Sequence, residues 1–178
     1  MSNTSKQSQT ILNLVIMAML IAVQIVLSRF LSIPTPITKI GFSFLPIAFA
    51  CKYLGTPQGM VVAGISDLLG AIMFPIGTYY VGFTITAIIK AGIIGLIACK
   101  KSNLFTISFG VIVAEIICSI CLNTFWISFY YGNGFIALLP SRLAQAAVMI
   151  PVQILVLYPL FTKLHDKITK NLKLQVQQ

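Results

Sequence analysis

The sequence predicts an all-α, polytopic integral membrane protein, with six transmembrane helices in a single domain covering residues 1–178. Three observations predict it. Hydrophobic residues make up 58% of the chain and charged residues only 8%, too few to cover a water-facing surface when soluble domains carry about 25%. The apolar residues fall in blocks, several of them near the roughly 20 residues that a helix needs to cross about 30 Å of hydrocarbon. The breaks between blocks carry the Gly, Pro, Asn and Ser chemistry of turns.

The first block, residues 10–31, is longer than a signal-peptide core and lacks a small-x-small cleavage site, so it reads as a retained helix. Pro34-Thr35-Pro36 ends it. A second block, 40–54, stops at Gly55-Thr56-Pro57, and a third, 58–74, at Pro75-Ile76-Gly77. The fourth, 80–99, runs into Lys100-Lys101-Ser102-Asn103. The fifth, 104–131, meets Gly132-Asn133-Gly134, and the sixth covers 135–161. The second and third blocks are shorter than a full crossing, and short hydrophobic segments often mark where a transporter holds its substrate. The tail from Lys163 onward is basic and weakly amphipathic, as expected of a segment on an anionic leaflet or in water.

Lys and Arg total 12 against three acids, a net charge of +9. The excess is not gathered on a hydrophilic module, so it does not indicate nucleic acid. It follows topology instead. Lys6, Lys52, Lys100, Lys101, Lys163, Lys167, Lys170 and Lys173 all fall on the side that six crossings give to both termini. Basic residues concentrate on the cytoplasmic side, so both termini are expected inside a cell membrane.

Catalytic chemistry finds little to work with. The only histidine, His165, lies in the tail, which leaves no Ser/His pair and no metal set. Cys118-Ser-Ile-Cys121 has the spacing of a redox motif but sits mid-block, so it reads, with Cys51 and Cys99, as small reduced thiols in apolar surroundings. No Gly-x-x-x-x-Gly-Lys loop is present to bind nucleotide. Neither a catalytic residue, a metal nor a cofactor is expected. A channel would need rings of charge, which three scattered acids do not supply; a non-transport scaffold or intramembrane enzyme stands as the alternative class.

Four cations do not fit the cytoplasmic pattern: Arg29, Lys39, Lys90 and Arg142 lie within the blocks or at their outer ends. Ionisable groups inside a membrane are costly and by default point to function. Counted from the inner ends of their blocks, Lys90 and Asp67 lie about 13 Å deep and Glu115 about 16 Å. Lys90 is therefore expected to be balanced by Asp67, Glu115 or both, with contact to a ligand as the other reading of Asp67. A shallower group gathers toward the outer ends. Asn123 and Trp126 share a helical face, Arg142 is followed by Gln145, Arg29 closes the first block, Tyr79, Tyr80 and Phe83 open the fourth, and Lys39 and Phe42 open the second. Together they describe an outward cavity with aromatic walls, a few amides and excess positive charge. It suits a flat, hydrogen-bonding ring that carries carboxylates. On the first block, Ala18 and Ala22 form a small-xxx-small pair of the kind that lets helices approach closely in lipid.

Six stretches, in order and spacing, carry a family resemblance over residues 12–162. They are Arg29-Phe-Leu-Ser-Ile-Pro-Thr-Pro36, Gly41-Phe-Ser-Phe-Leu-Pro46, Gly64-Ile-Ser-Asp-Leu-Leu-Gly70, Gly82-Phe-Thr-Ile-Thr-Ala87, Leu122-Asn-Thr-Phe-Trp126 and Pro140-Ser-Arg142 through Pro151. The chain resembles the substrate-binding (S) components of energy-coupling-factor (ECF) vitamin transporters, and within them the folate group. The resemblance implies high-affinity capture of folate, or of another vitamin, from outside the cell. It also implies a transmembrane coupling subunit met through Ala18 and Ala22, and two cytoplasmic ATPases that hydrolyse ATP. The pterin is then expected near Trp126, Asn123 and Phe83. The glutamate tail is expected toward Arg29, Lys39 and the first external loop, with Arg142 available to either end.

Overall fold

The computed structural model describes residues 2–34, 39–75, 79–99, 103–132 and 134–176, with side chains described except at 2–6, 33, 34, 39, 40, 131 and 163–176. Helix dominates. The elements are α1 (Ser2–Arg29), a two-residue antiparallel pair β1 (Ile33–Pro34) and β2 (Lys39–Ile40), α2 (Phe44–Tyr53), α3 (Thr56–Met73), α4 (Val81–Ile93), α5 (Leu104–Ala114), α6 (Asn123–Tyr131) and α7 (Phe135–Val176). In the pair, Ile33 faces Ile40 and Pro34 faces Lys39. Two π-helical segments complete the rods. Ile94–Ala98 continues α4, and Glu115–Leu122 joins α5 to α6 without a break.

Four rods are long and apolar enough to cross a membrane: Gln7–Arg29, Val81–Ala98, Leu104–Tyr130 and Phe135–Thr162. The second block begins as a helix only at Phe44, because Ile40 belongs to β2 and residues 41–43 form the bend that follows it, and its 10 residues are too few to cross by themselves. α3 has 18 residues. The sixth block continues past residue 161 as helix to Val176 and contains Pro140, Pro151 and Pro159. Each internal proline removes one backbone hydrogen bond, a loss that membrane helices tolerate where neighbours repair it.

Small residues set the packing. α3 lies against α4, α1 and α2, while α5 lies against α7 and the π continuation of α4. Gly59 sits on the backbone of Cys51, Gly64 on Ile88 and Gly110 on Ala98. With lipid as apolar as the protein interior, such close approach gains dispersion contact that the hydrophobic effect does not supply. A larger core joins Phe44, Ala48, Ile94, Ala98, Ile107, Val111, Ala114, Met149, Leu157 and Phe161. A smaller one joins Cys51, Ala63 and Ala91. At one end of the bundle Lys52 donates to the carbonyl of Cys99 (2.8 Å), its ammonium 5.6 Å from the centroid of Phe161. All four cysteines are free, Cys118 buried and Cys121 exposed.

A Cβ at Gly110 would meet the Cβ and the backbone nitrogen of Ala98 at 3.0 Å. Gly110→Leu should therefore destabilise the folded protein by about 1–3 kcal/mol through overpacking, read as a lower melting temperature in detergent than that of Gly134→Leu, where the added atom meets nothing within 4 Å.

Candidate functional site

Contacts bring the end of α1, the end of α3, the start of α4 and α6 to one end of the bundle. The guanidinium of Arg29 lies on Gly70 (Nε 3.1 Å and Nη2 3.4 Å from where a Cβ would stand). The indole of Trp126 lies on Gly82, and Tyr80 links Trp126 to Tyr130 with ring centroids 5.3 and 5.7 Å apart. Three residues separate the end of α6 from the start of α7, which packs along it. The Lys52–Cys99 contact marks the opposite end.

Trp126 is the centre of an aromatic cluster. Tyr80 and Phe125 flank it at 5.3 and 5.2 Å, and Phe83 stands edge-on to Tyr80 at 6.4 Å. Its Nε1 donates to Thr86 Oγ1 at 3.2 Å. The ring is largely covered by these neighbours and keeps a smaller exposed part.

Asp67 does not pair with Lys90. Its carboxylate accepts from Thr84 Oγ1 at 2.7 Å, and Thr84 Oγ1 lies 2.6 Å from the hydroxyl of Tyr79. Since the one Thr84 proton goes to the carboxylate, the Tyr79 hydroxyl is the donor to Thr84. This chain of three side chains pins the start of α4 and its preceding turn to α3.

Lys90 pairs with Glu115 at 2.5 Å, and Gln153 Nε2 donates to the same carboxylate oxygen at 2.6 Å. Glu115 is 1% exposed and Gln153 fully buried. Of the two acids that matched Lys90 in depth, only Glu115 reaches it. Among the described residues this is the one ion pair, so Arg29 and Arg142 have no described carboxylate within reach.

The polar atoms left over are informative. Arg29 Nε, Arg142 Nε, Asn123 Oδ1, Thr124 Oγ1, Gln24 Oε1 and, beside the ion pair, Gln153 Oε1 are buried and have no hydrogen-bond partner among the described residues. An unmade buried hydrogen bond costs about 1–3 kcal/mol, more for a charged group, and such groups call for an explanation. Arg142 is 6% exposed and is held by Gln145, which accepts from its Nη1 at 3.1 Å. Gln145 thus orients Arg142.

Of the remaining sequence-predicted residues, Lys39 lies in β2 with its side chain outside the described residues. Phe42 is exposed, its ring 6.2 Å from that of Phe44. Ala18 and Ala22 are both exposed on α1, beside the exposed Met19 and Val23. Sequence reasoning passed over Thr84, Thr86, Gln24 and Gln153. The two glutamines carried a usable signal: Gln24 is the only polar residue between Asn13 and Ser28, and Gln153 the only one between Gln145 and Tyr158. The threonines did not, because a helix accommodates a threonine by back-bonding to its own carbonyl.

Fold and site together define a helical membrane protein with an aromatic cluster and two arginines toward one end of its bundle. Residues 12–161 match the family model of the ECF transporter substrate-specific component, and the chain belongs to that family. It is 35% identical over 146 residues to a folate transporter FolT of Clostridium novyi (strain NT), covering 82% of this chain and 85% of that one. It is 32% identical over 151 residues to a folate transporter FolT of Leuconostoc mesenteroides subsp. mesenteroides, covering 81% of each. Among solved structures it resembles a crystal structure of FolT bound with folic acid, with a TM-score of 0.79 and 28% identity over 85% of this chain and 94% of that one. The S component of a bacterial ECF transporter, at TM-score 0.52 and 22% identity over 90% and 97% of the two chains, shares the fold.

Removing one partner of a buried ion pair leaves an uncompensated charge at a cost of about 3–5 kcal/mol, whereas replacing both by apolar groups is often neutral. Glu115→Leu is therefore expected to lower stability by that amount, and Lys90→Met with Glu115→Leu to regain most of it, measured by reversible unfolding in mixed detergent micelles. Equal losses in the single and double variants would contradict the pairing.

Proposed function

We propose that this chain captures folate with high affinity at the outer face of the cell membrane, as the substrate-binding subunit of an ECF-type transporter. The observation that carries the reading is a mismatch of charge. Arg29 and Arg142 stand at the Trp126 end, each with a buried nitrogen lacking a partner, and no described carboxylate offsets them. A ligand that brings a flat ring and carboxylates supplies what that end lacks, and folate carries both. Arginine holds a carboxylate through charge-assisted bonds of fixed geometry.

In this reading the pterin stacks beside Trp126 and Phe83. Asn123 Oδ1 accepts from its amino edge, and Asp67, which accepts from Thr84, is assigned to the same edge. The glutamate tail runs toward Arg29 and Lys39, with Phe42 at the margin. Arg142, oriented by Gln145, takes whichever end reaches α7. The six membrane segments comprise the four long rods together with α3 and with α2, whose helix is completed to a crossing by the strand pair and residues 41–43 that precede it. Both termini are cytoplasmic. Support comes from the far end, where Lys52 sits and where Lys100 and Lys101 follow Cys99 directly in sequence. Ala18 and Ala22, exposed on α1, offer a close-approach face to a transmembrane coupling subunit. Two cytoplasmic ATPases supply the hydrolysis for which this chain has no phosphate loop.

Isothermal titration of the detergent-purified protein tests the reading, with riboflavin and thiamine as controls. One-to-one binding of folate alone is expected. Arg29→Ala and Arg142→Ala should each weaken it about ten- to a hundredfold, the worth of a hydrogen bond to a charged group. No heat with folate from folded protein would overturn the ligand assignment, and binding of a control vitamin instead would move the chain to another substrate within the family.

A further inference from the structure

Thr86 lies on α4 at the point where α6 docks. It is 3% exposed, and its hydroxyl donates to the carbonyl of Gly82 at 2.9 Å. With the single proton used there, its oxygen is free to accept, and the donor that reaches it is Trp126 Nε1 at 3.2 Å. An indole N–H is a donor only, and in surroundings without water it must find an acceptor or stand at the full desolvation cost.

The same turn of α4 supplies the second point of support. A Cβ at Gly82 would stand 2.5 Å from Trp126 Cδ2 and 2.7 Å from Cε2, so the fused edge of the indole rests on backbone. Gly82 and Thr86 are one helical turn apart on one face. The indole is thus held along its fused bond by the missing side chain and at its nitrogen by the hydroxyl. Together with the covalent bond to Cβ, these two contacts give three points, which fix the plane of the ring.

We infer that Thr86 is a positioning residue for ligand binding: its hydroxyl fixes the plane of the Trp126 indole, the platform on which the substrate's aromatic ring stacks. The inference rests on the folate reading for its ligand, but not for its geometry. Aromatic pairing depends on offset and tilt as well as on contact area, so a ring free to swing about its side-chain bonds stacks less well than a fixed one. Thr86 acts through Trp126.

Trp126 is the only tryptophan in the chain, so every indole signal belongs to it. The test compares the full-length wild type, Thr86→Val and Thr86→Ser in detergent, first without ligand and then with folate. Near-ultraviolet circular dichroism at the indole bands reports the fixity of the ring. Valine keeps the volume and removes the acceptor; serine keeps the acceptor. Thr86→Val is expected to lose most of the indole dichroism in the ligand-free protein and to weaken folate about three- to tenfold, the range of one neutral hydrogen bond. Thr86→Ser is expected to restore both, with far-ultraviolet spectra unchanged throughout. An unaltered indole signal in Thr86→Val, or a lost signal with unaltered folate affinity, would overturn the inference. Absence of folate binding in the wild type would overturn the functional reading instead, and the ligand-free dichroism would still decide whether Thr86 fixes the ring.

Discussion

A charge placed where there is no water must be matched, and the chain has three acids with which to do it. The Lys90–Glu115 pair is the constraint around which the bundle is arranged. It joins α4 to the start of the π segment between α5 and α6, and Gln153 brings in α7 as a second donor to Glu115. Three rods therefore meet on one carboxylate. Such a pair gives little net stability over an apolar core, but once built it is costly to break, so it fixes which faces of these rods may touch.

The consequences run toward the site. Gly82, Thr86 and Lys90 are spaced one turn apart along one face of α4, and they meet Trp126, Trp126 and Glu115 in turn. Along α4, Thr86 and Gly82 lie about 6 and 12 Å from Lys90, whereas eleven residues of regular helix would set Trp126 about 16 Å from Glu115. The π segment Glu115–Leu122 lies within that run and shortens it, because its wider turn fits more residues into the same rise. The ion pair thereby sets the height and rotation at which Asn123 and Trp126 emerge. It also uses Glu115 within the bundle. With Asp67 bonded to Thr84, no described acid is left for Arg29 and Arg142, and the site end keeps its positive excess.

The broad architecture was legible in the sequence because the bilayer imposes lengths and charge asymmetries that composition records directly. The blocks at 80–99, 104–131 and 135–161 correspond to rods Val81–Ala98, Leu104–Tyr130 and Phe135–Thr162. The second block was less so: its first residue, Ile40, is apolar yet enters a strand pair, and apolarity does not distinguish strand from helix. Depth, counted in residues, matched Lys90 to both Asp67 and Glu115; rotation about the helix axis decides between them, and the π segments change that rotation without any sign in composition. Arg29, Asn123, Trp126 and Arg142 stood out as polar or amphipathic groups in apolar runs. Thr86 did not, since its role depends on which side chain comes to it from a helix forty residues away.

The central claim is that the ligand stacks on Trp126 at the cation-bearing end of the bundle. Because the chain holds a single tryptophan, titrating folate into the purified protein while recording tryptophan fluorescence reads the approach of the ligand to that one residue. The account predicts deep quenching that saturates at one folate per chain. Folate bound by folded protein with the tryptophan emission unchanged would place the ligand elsewhere and contradict the account.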